Sequence, residues 1–320
     1  MTQSNILLEA GTNELEIVEF HIDELEPDGI TPYKGFYGVN VAKVLEIIRL
    51  PKVTELPEVR DKSVLGAFNL RSQIIPLVDL ALWLGKKREL SDSAKVIVTE
   101  FNNVTTAFMV SGVNRIHRIS WEEVDPPNAY VSALTRNTIT GVVKLEGRII
   151  FLLDLERIVS ALNPRLALHL DEAIDWQSGA RYRALVADDS TVIREMLKDL
   201  LQRANFEVEA VNNGRDAWER LEEIKKKSLE ENLPVANYVQ CVVSDIEMPQ
   251  MDGHNLCKRI KDDPVLKCLP VLLFSSLITD KLRHKGLSVG ADEQISKPEV
   301  TILAQKAMAL IKARGIGVST

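Results

Sequence analysis

Five polar residues that each close a short apolar run limit what this chain can fold into more than any other feature. Asp188 and Asp189 follow Ala184-Leu185-Val186-Ala187, and Asp245 ends the run begun by Cys241-Val242-Val243. Ser275 follows Val271-Leu272-Leu273-Phe274, and Lys297 comes just after Ile295. Short apolar runs bounded in this way read as strands buried on both faces, and the intervals between them suit βα units of a parallel sheet. In an open parallel sheet the carboxyl ends of the strands border one crevice, so three carboxylates, a hydroxyl and an ammonium would converge there.

The residue types explain themselves chemically. Three carboxylates within a few ångströms repel one another, and without a counter-ion at least one would take up a proton. A divalent cation removes that conflict, and hard oxygen donors that leave room for water and phosphate oxygens suit Mg2+. A carboxylate oxygen can then act as nucleophile toward an activated phosphoryl donor while the metal, lysine and hydroxyl neutralise the equatorial oxygens. Singly, each residue has a simpler reading: Asp and Ser as helix N-caps, Lys297 as a solvated surface residue. The conjunction of five compatible groups at strand ends is what capping does not explain.

Residues 182 to about 315 resemble the receiver domains of two-component signalling. The resemblance rests on Ala184 to Ser190 with its acidic pair, on Ser244-Asp245-Ile246-Glu247-Met248-Pro249-Gln250-Met251-Asp252-Gly253, and on Ser296-Lys297-Pro298. It implies a flavodoxin-like, doubly wound α/β fold with five parallel strands. It also implies that Asp245 is the phosphoacceptor and that Asp188, Asp189, Asp245 and the backbone carbonyl of Glu247 hold Mg2+. Ser275 would then donate to a phosphoryl oxygen, and Lys297 would pair with the phosphorylated carboxylate. Two positions depart from the family pattern. Gln294 stands where many receivers carry an aromatic residue that moves on phosphorylation, and Glu247 puts an extra carboxylate two residues from Asp245.

A receiver leaves half the chain unexplained, since domains commonly run to about 100–150 residues. The other half contains an internal repeat: residues 66–80 align without gaps on residues 141–155, sharing the glycine, a central Leu, an Ile-Ile pair, a further Leu and a terminal Asp-Leu. Each copy predicts a strand, a tight polar turn, a second strand and a short helix starting near the Asp. With other alternating segments such as Lys95–Thr99 and Thr106–Val110 they predict an all-β pair of small barrels, whose closure removes exposed edges. This half resembles the CheW-type coupling domain of bacterial chemotaxis, through Tyr37 to Ile48, Gly66 to Leu80 and Gly141 to Leu155. Arg71 is the informative residue. Its counterpart Glu146 shows that the hairpin does not require a cation, and by the resemblance Asn69, Leu70 and Arg71 are expected to meet a partner.

The expected organisation is a coupling domain over residues 1–165, a connector over 166–181, helical and rich in leucine, and a receiver over 182–320. That domain order resembles the CheV type of chemotaxis coupling protein. It implies a scaffold between chemoreceptors and their histidine kinase, a scaffold rather than an enzyme, with catalysis confined to its own phosphotransfer and dephosphorylation. It also implies a cytoplasmic location at receptor arrays. No signal peptide and no apolar run of bilayer length is present, so no direct membrane insertion is expected. Net charge is −7, and the first 33 residues hold eight acids and no Lys or Arg. Nucleic-acid binding is therefore not expected, and a response regulator with a DNA-binding output is the weaker alternative. A haloacid-type phosphatase is weaker still, because it would want Asp-x-Asp where this chain has Asp245-Ile246-Glu247. Cys241, Cys257 and Cys268 lack metal spacing and read as reduced core thiols. The charged stretch from Lys225 to Asn237 reads as an extended helix with a surface loop.

Overall fold

The computed structural model describes residues 11–26, 30–86, 93–101, 104–127, 138–162, 181–276 and 280–316. The chain divides into two compact units, with bodies at Leu15–Ile119 plus Glu123–Ala167 and at Leu168–Thr320. The leucine-rich connector expected over 166–181 lies, but for Arg181, outside the described residues.

The first unit runs β1 (Glu14–Leu25), β2 (Pro32–Asn40), β3 (Val44–Arg49), β4 (Val64–Leu70), β5 (Gln73–Asp79), α1 (Leu80–Trp83), β6 (Lys95–Phe101), β7 (Val104–Val110), β8 (Gly112–Ser120), β9 (Ile139–Leu145), β10 (Arg148–Leu153) and α2 (Leu155–Leu162). Each expected barrel corresponds to a five-stranded sheet, one ordered β8-β1-β2-β10-β9 and the other β3-β6-β7-β5-β4. Alternation along β1 sends Val18, Phe20 and Ile22 into a shared core with Tyr37, Val39, Ile97, Phe108, Leu153 and Ile158. Ile17, Glu19 and His21 fall on the opposite face of the strand.

The repeated segments fold alike. Hairpins β4–β5 and β9–β10 are antiparallel, and their second strands pair in parallel with β7 and β2 respectively. Both turns have left-handed backbone at their two tip residues, Arg71 (φ 49°) and Ser72 (φ 73°) in one, Glu146 (φ 51°) and Gly147 (φ 75°) in the other. That geometry matches the right-handed twist of the flanking strands. The shared aspartates are helix caps: Asp79 accepts from Leu82 N at 3.2 Å and Asp154 from Arg157 N at 2.9 Å.

The second unit is the doubly wound sheet. Its elements are β11 (Tyr182–Ala187), α3 (Thr191–Arg203), β12 (Phe206–Val211), α4 (Gly214–Glu230), β13 (Cys241–Asp245), α5 (Gly253–Asp262), β14 (Val271–Ser275), α6 (Asp280–Ser288), β15 (Glu293–Ser296) and α7 (Leu303–Ala313). All strand pairs are parallel, in the order β12-β11-β13-β14-β15. The three inner strands β11, β13 and β14 are largely apolar and buried because both faces are covered, whereas the edge strands β12 and β15 carry Glu207, Glu209, Glu293 and Gln294. Ala184 and Val186 pack with Leu197, Leu200 and Leu201 of α3 and Leu303 and Ala307 of α7, whereas Leu185 and Ala187 pack with Leu221 of α4 and Leu256 and Ile260 of α5.

Two local expectations change and one holds. The sequence pattern predicts a last helix from roughly Glu299 to Lys312, but the helix begins at Leu303. Residues Lys297–Ile302 instead form a 3-10 segment with Pro298 at its start and Glu299 out of helical geometry. The 225–237 stretch is the expected extended helix and loop: α4 continues to Glu230, the chain turns, and a 3-10 turn follows at Val235–Asn237 with Val235 buried. Cys241 and Cys257 are core thiols as expected, but Cys268 is exposed, because it closes a short 3-10 turn before β14.

Candidate functional site

The strand ends of the second unit gather the expected groups. One carboxylate oxygen each from Asp188, Asp189 and Asp245 lies within 4.8 Å of the others. Asp188 and Asp245 are buried and Asp189 is half-exposed, which leaves one side of the trio open to solvent. Lys297 reaches across from the end of β15, its Nζ 3.5 Å from Asp245 Oδ2 and 3.6 Å from Asp188 Oδ2. Ser275 ends β14 in register with Ser296, one residue before Lys297.

Local structure fixes each group. Asp188 Oδ1 accepts from Ser190 N at 2.8 Å, while Ser190 caps α3. Asp245 Oδ1 accepts from Ile246 N at 2.8 Å, which leaves Oδ2 turned toward Lys297. The turn after Asp245 doubles back tightly, with Gly253 N donating to Ile246 O at 2.9 Å. A Cβ at Gly253 would lie 2.0 Å from Asp245 O, so only glycine fits there. Asp252 caps α5 through Asn255 N at 2.6 Å, and burial pushes its carboxyl up to about 6. Burial likewise drives His254 down to about 3.

Glu247 lies on the loop after Asp245 and is half-buried. Asn69, Leu70 and Arg71 belong to the other unit and separate into three roles. Asn69 Oδ1 accepts from Ser72 N at 3.1 Å and so braces the hairpin turn, and Leu70 packs on the core of its sheet. Arg71 alone projects, its side chain 80 % exposed and 3.3 Å from Glu46. Exposed Leu45 and Ile47 flank Glu46 along β3.

Arg194 was not anticipated. It donates to Asp188 O at 2.6 Å and to Thr191 Oγ1 at 2.9 Å, bringing a second cation to the acidic pair. Its position four residues after the capping Ser190, on the face of α3 that meets the strand end, was the available signal.

The donor set fits a divalent cation. Three converging carboxylates face one ammonium and one guanidinium bound to a backbone carbonyl, which leaves net negative charge among hard oxygen donors. Among the described residues no other trio of His, Cys, Asp or Glu gathers this way.

Two family models match the chain. A CheW-like domain matches residues 16–163 and a response regulator receiver domain residues 184–307. Chemotaxis protein CheV3 of Helicobacter pylori is 35% identical over 285 residues, covering 87% of this chain and 89% of its own length. The chain belongs to the CheV family. Chemotaxis protein CheV2 of the same organism is 30% identical over 313 residues, covering 90% of this chain and 92% of CheV2. The sensor histidine kinase CheAY of that bacterium is 26% identical over 270 residues, 82% of this CheV-family chain but 31% of the kinase. CheV membership makes this a chemotaxis coupling scaffold regulated through its receiver, and neither a DNA-binding output nor a phosphatase is favoured.

Proposed function

We propose that this CheV-family chain couples chemoreceptors to a chemotaxis histidine kinase through its β-rich unit and takes phosphate from that kinase on Asp245. The observation that carries the reading is the pairing of Lys297 with both Asp188 and Asp245 at 3.6 and 3.5 Å, which ties the acidic pair and the acceptor into one site. Asp188, Asp189 and Asp245, with the Glu247 carbonyl, are the residues to hold Mg2+. When bound, that ion screens the acceptor carboxylate and the incoming phosphoryl oxygens.

The residues of the chain supply the rest. Asp245 Oδ1 is held by Ile246 N, so Oδ2 is the oxygen presented for attack. Attack forms a bond from Oδ2 to phosphorus as the bond to the donor breaks, giving an acyl phosphate. Lys297, next to Oδ2, then neutralises a phosphoryl oxygen, and the Ser275 hydroxyl donates to another. In the other unit Arg71, with the apolar residues beside Glu46, presents a projecting cation on an apolar surface, which suits a protein partner with an acidic group. Its site of action is the cytoplasmic receptor array, and among the described residues no helix is long and apolar enough to cross a membrane.

Incubation with a phosphorylated chemotaxis kinase tests the reading. Label should pass to the full-length chain in the presence of Mg2+ and be lost on chelation. Absence of transfer from several such kinases would remove the receiver assignment while leaving the scaffold role to a co-sedimentation assay.

A further inference from the structure

Every polar atom of Asp188 meets a partner. Its N donates to Val211 O at 3.3 Å, its Oδ1 accepts from Ser190 N at 2.8 Å, and its Oδ2 faces Lys297 Nζ at 3.6 Å. The remaining atom is the backbone carbonyl, to which Arg194 Nη1 donates at 2.6 Å. That carbonyl belongs to the peptide joining Asp188 to Asp189. A peptide is planar, so holding its oxygen also fixes the amide of Asp189 and the direction in which Asp189 leaves the strand end. The same guanidinium donates through Nη2 to Thr191 Oγ1 at 2.9 Å, which braces the peptide against the first turn of α3. Asp188 is buried, but Asp189 is half-exposed, where packing does least to set its direction.

The guanidinium has two opposed effects on a cation held by Asp188, Asp189 and Asp245. Its charge repels the cation, an effect that solvent screens because Arg194 is only half-buried. Its bond to the carbonyl sets the geometry of the ligands. A bond from a charged donor is stronger than a neutral one, and losing an outer partner of a metal ligand typically costs roughly 10–100-fold in affinity. Given the Mg2+ reading of the trio, on which this rests, we infer that Arg194 is a positioning residue that holds the Asp188–Asp189 peptide in the geometry Mg2+ requires. The geometric effect exceeds the repulsion, so a cation beside the site strengthens metal binding. Mg2+ demands near-octahedral ligands, whereas Ca2+ accepts a flexible shell. Both ions carry two charges, so repulsion acts on them alike. The contribution of Arg194 therefore falls on the preference for Mg2+ over Ca2+.

Titration of the full-length protein with each metal alone, followed by fluorescence or chemical shift, tests this. Wild type should bind Mg2+, and Asp189→Asn should bind it far more weakly. Arg194→Ala should weaken Mg2+ binding roughly tenfold or more and Ca2+ binding by less than about threefold, with circular dichroism unchanged. Thr191→Val is the sharper variant, because it keeps the guanidinium and its charge but removes the brace. Mg2+ binding should weaken a few-fold in it, where a charge effect alone gives no change. Tighter Mg2+ binding in Arg194→Ala would overturn the inference and leave Arg194 as a competing charge. Equal losses for the two metals, the mark of general loosening, would overturn it as well, and so would unaltered Mg2+ binding in both variants. No Mg2+ binding by wild type, or undiminished binding in Asp189→Asn, would overturn the metal reading and the role of Arg194 with it.

Discussion

Lys297 Nζ stands 3.5 Å from Asp245 Oδ2, although the two residues come from strands that are not neighbours in the sheet. With β14 between them, the lysine spans the carboxyl edge to reach a buried acceptor. Replacing Asp245 by Asn keeps the shape of that acceptor and removes its nucleophilic oxygen. Mg2+-dependent phosphate incorporation should fall to background in Asp245→Asn, with circular dichroism and partner binding unchanged. Label transfer at the wild-type rate would place the acceptor elsewhere.

Removing the ammonium should have the opposite effect on the metal. Lys297→Met leaves Asp188 and Asp245 without their shared cation, so the metal-free protein should lose about 1–3 kcal/mol of stability. Mg2+ should then bind severalfold more tightly, since it no longer competes with the lysine for the same oxygens. Titration followed by chemical shift or fluorescence measures both quantities, and weaker Mg2+ binding in the variant would contradict the shared-oxygen argument.

Arg71 projects from a hairpin tip and pairs with Glu46. Arg71→Glu should therefore alter stability by less than about 1 kcal/mol, as for other exposed pairs. Co-sedimentation with receptor and kinase should nevertheless weaken clearly, because the reversal sets an anion where the partner meets a cation. Unchanged assembly would return Arg71 to the status of an ordinary turn residue.

Glu19 supplies a pH prediction in the other sheet. Its carboxylate is fully buried and takes hydrogen bonds from His117 Nε2 at 2.5 Å and Asn114 Nδ2 at 2.7 Å, with Arg148 at 3.4 Å. Burial acts to raise its pKa, but those hydrogen bonds and the Arg148 and His117 charges outweigh it and hold the group below its ordinary 4.5. A carboxyl depressed by folding stabilises the native state above its unfolded value, and that contribution is lost as pH falls through the folded value. Denaturant midpoints should thus fall below about pH 4.5 in wild type. Glu19→Gln should cost about 1–3 kcal/mol at neutral pH and flatten that part of the profile. A variant with the wild-type acid limb would assign the loss to other carboxylates.

Glu247 is half-buried two residues beyond Asp245. Its charge should hinder the water that hydrolyses the acyl phosphate, so Glu247→Asn should shorten the phosphorylated lifetime modestly, with solvent screening the effect. Phosphate loss followed side by side in the two proteins decides it: equal rates mean the side chain plays no part, and slower loss in the variant reverses the argument.

The site was legible in the sequence because a parallel sheet converts strand ends into neighbours, so Asp188, Asp189, Asp245, Ser275 and Lys297 could be grouped without coordinates. The repeated hairpins were legible because residues 66–80 and 141–155 share a glycine, an Ile-Ile pair and a terminal Asp-Leu, whose aspartates Asp79 and Asp154 both cap helices. What escaped depended on side-chain direction rather than on pattern. Arg194 looks like any cation on an amphipathic helix until its turn is seen to face Asp188. Gly286 reads as a weak spot in a helix until the Gln294 amide is found against it. A count of acids near the start of the chain gave no sign that Glu19 and Glu24 are buried among partners rather than solvated.

The strands of the first unit are distributed unevenly along the chain. The β3-β6-β7-β5-β4 sheet is drawn entirely from Val44 to Val110, whereas its companion takes β1 and β2 from before that segment and β8, β9 and β10 from after it. During synthesis the inner sheet therefore has all its strands as soon as β7 has left the ribosome. The β1–β2 hairpin must wait, with both outer edges unpaired, until β8 and β10 arrive to flank it. A nascent chain stalled once residue 111 has cleared the exit tunnel should accordingly resist protease across the inner sheet and be cut within β1 and β2. Early protection of β1 and β2 would show that the hairpin finds shelter before its own neighbours exist.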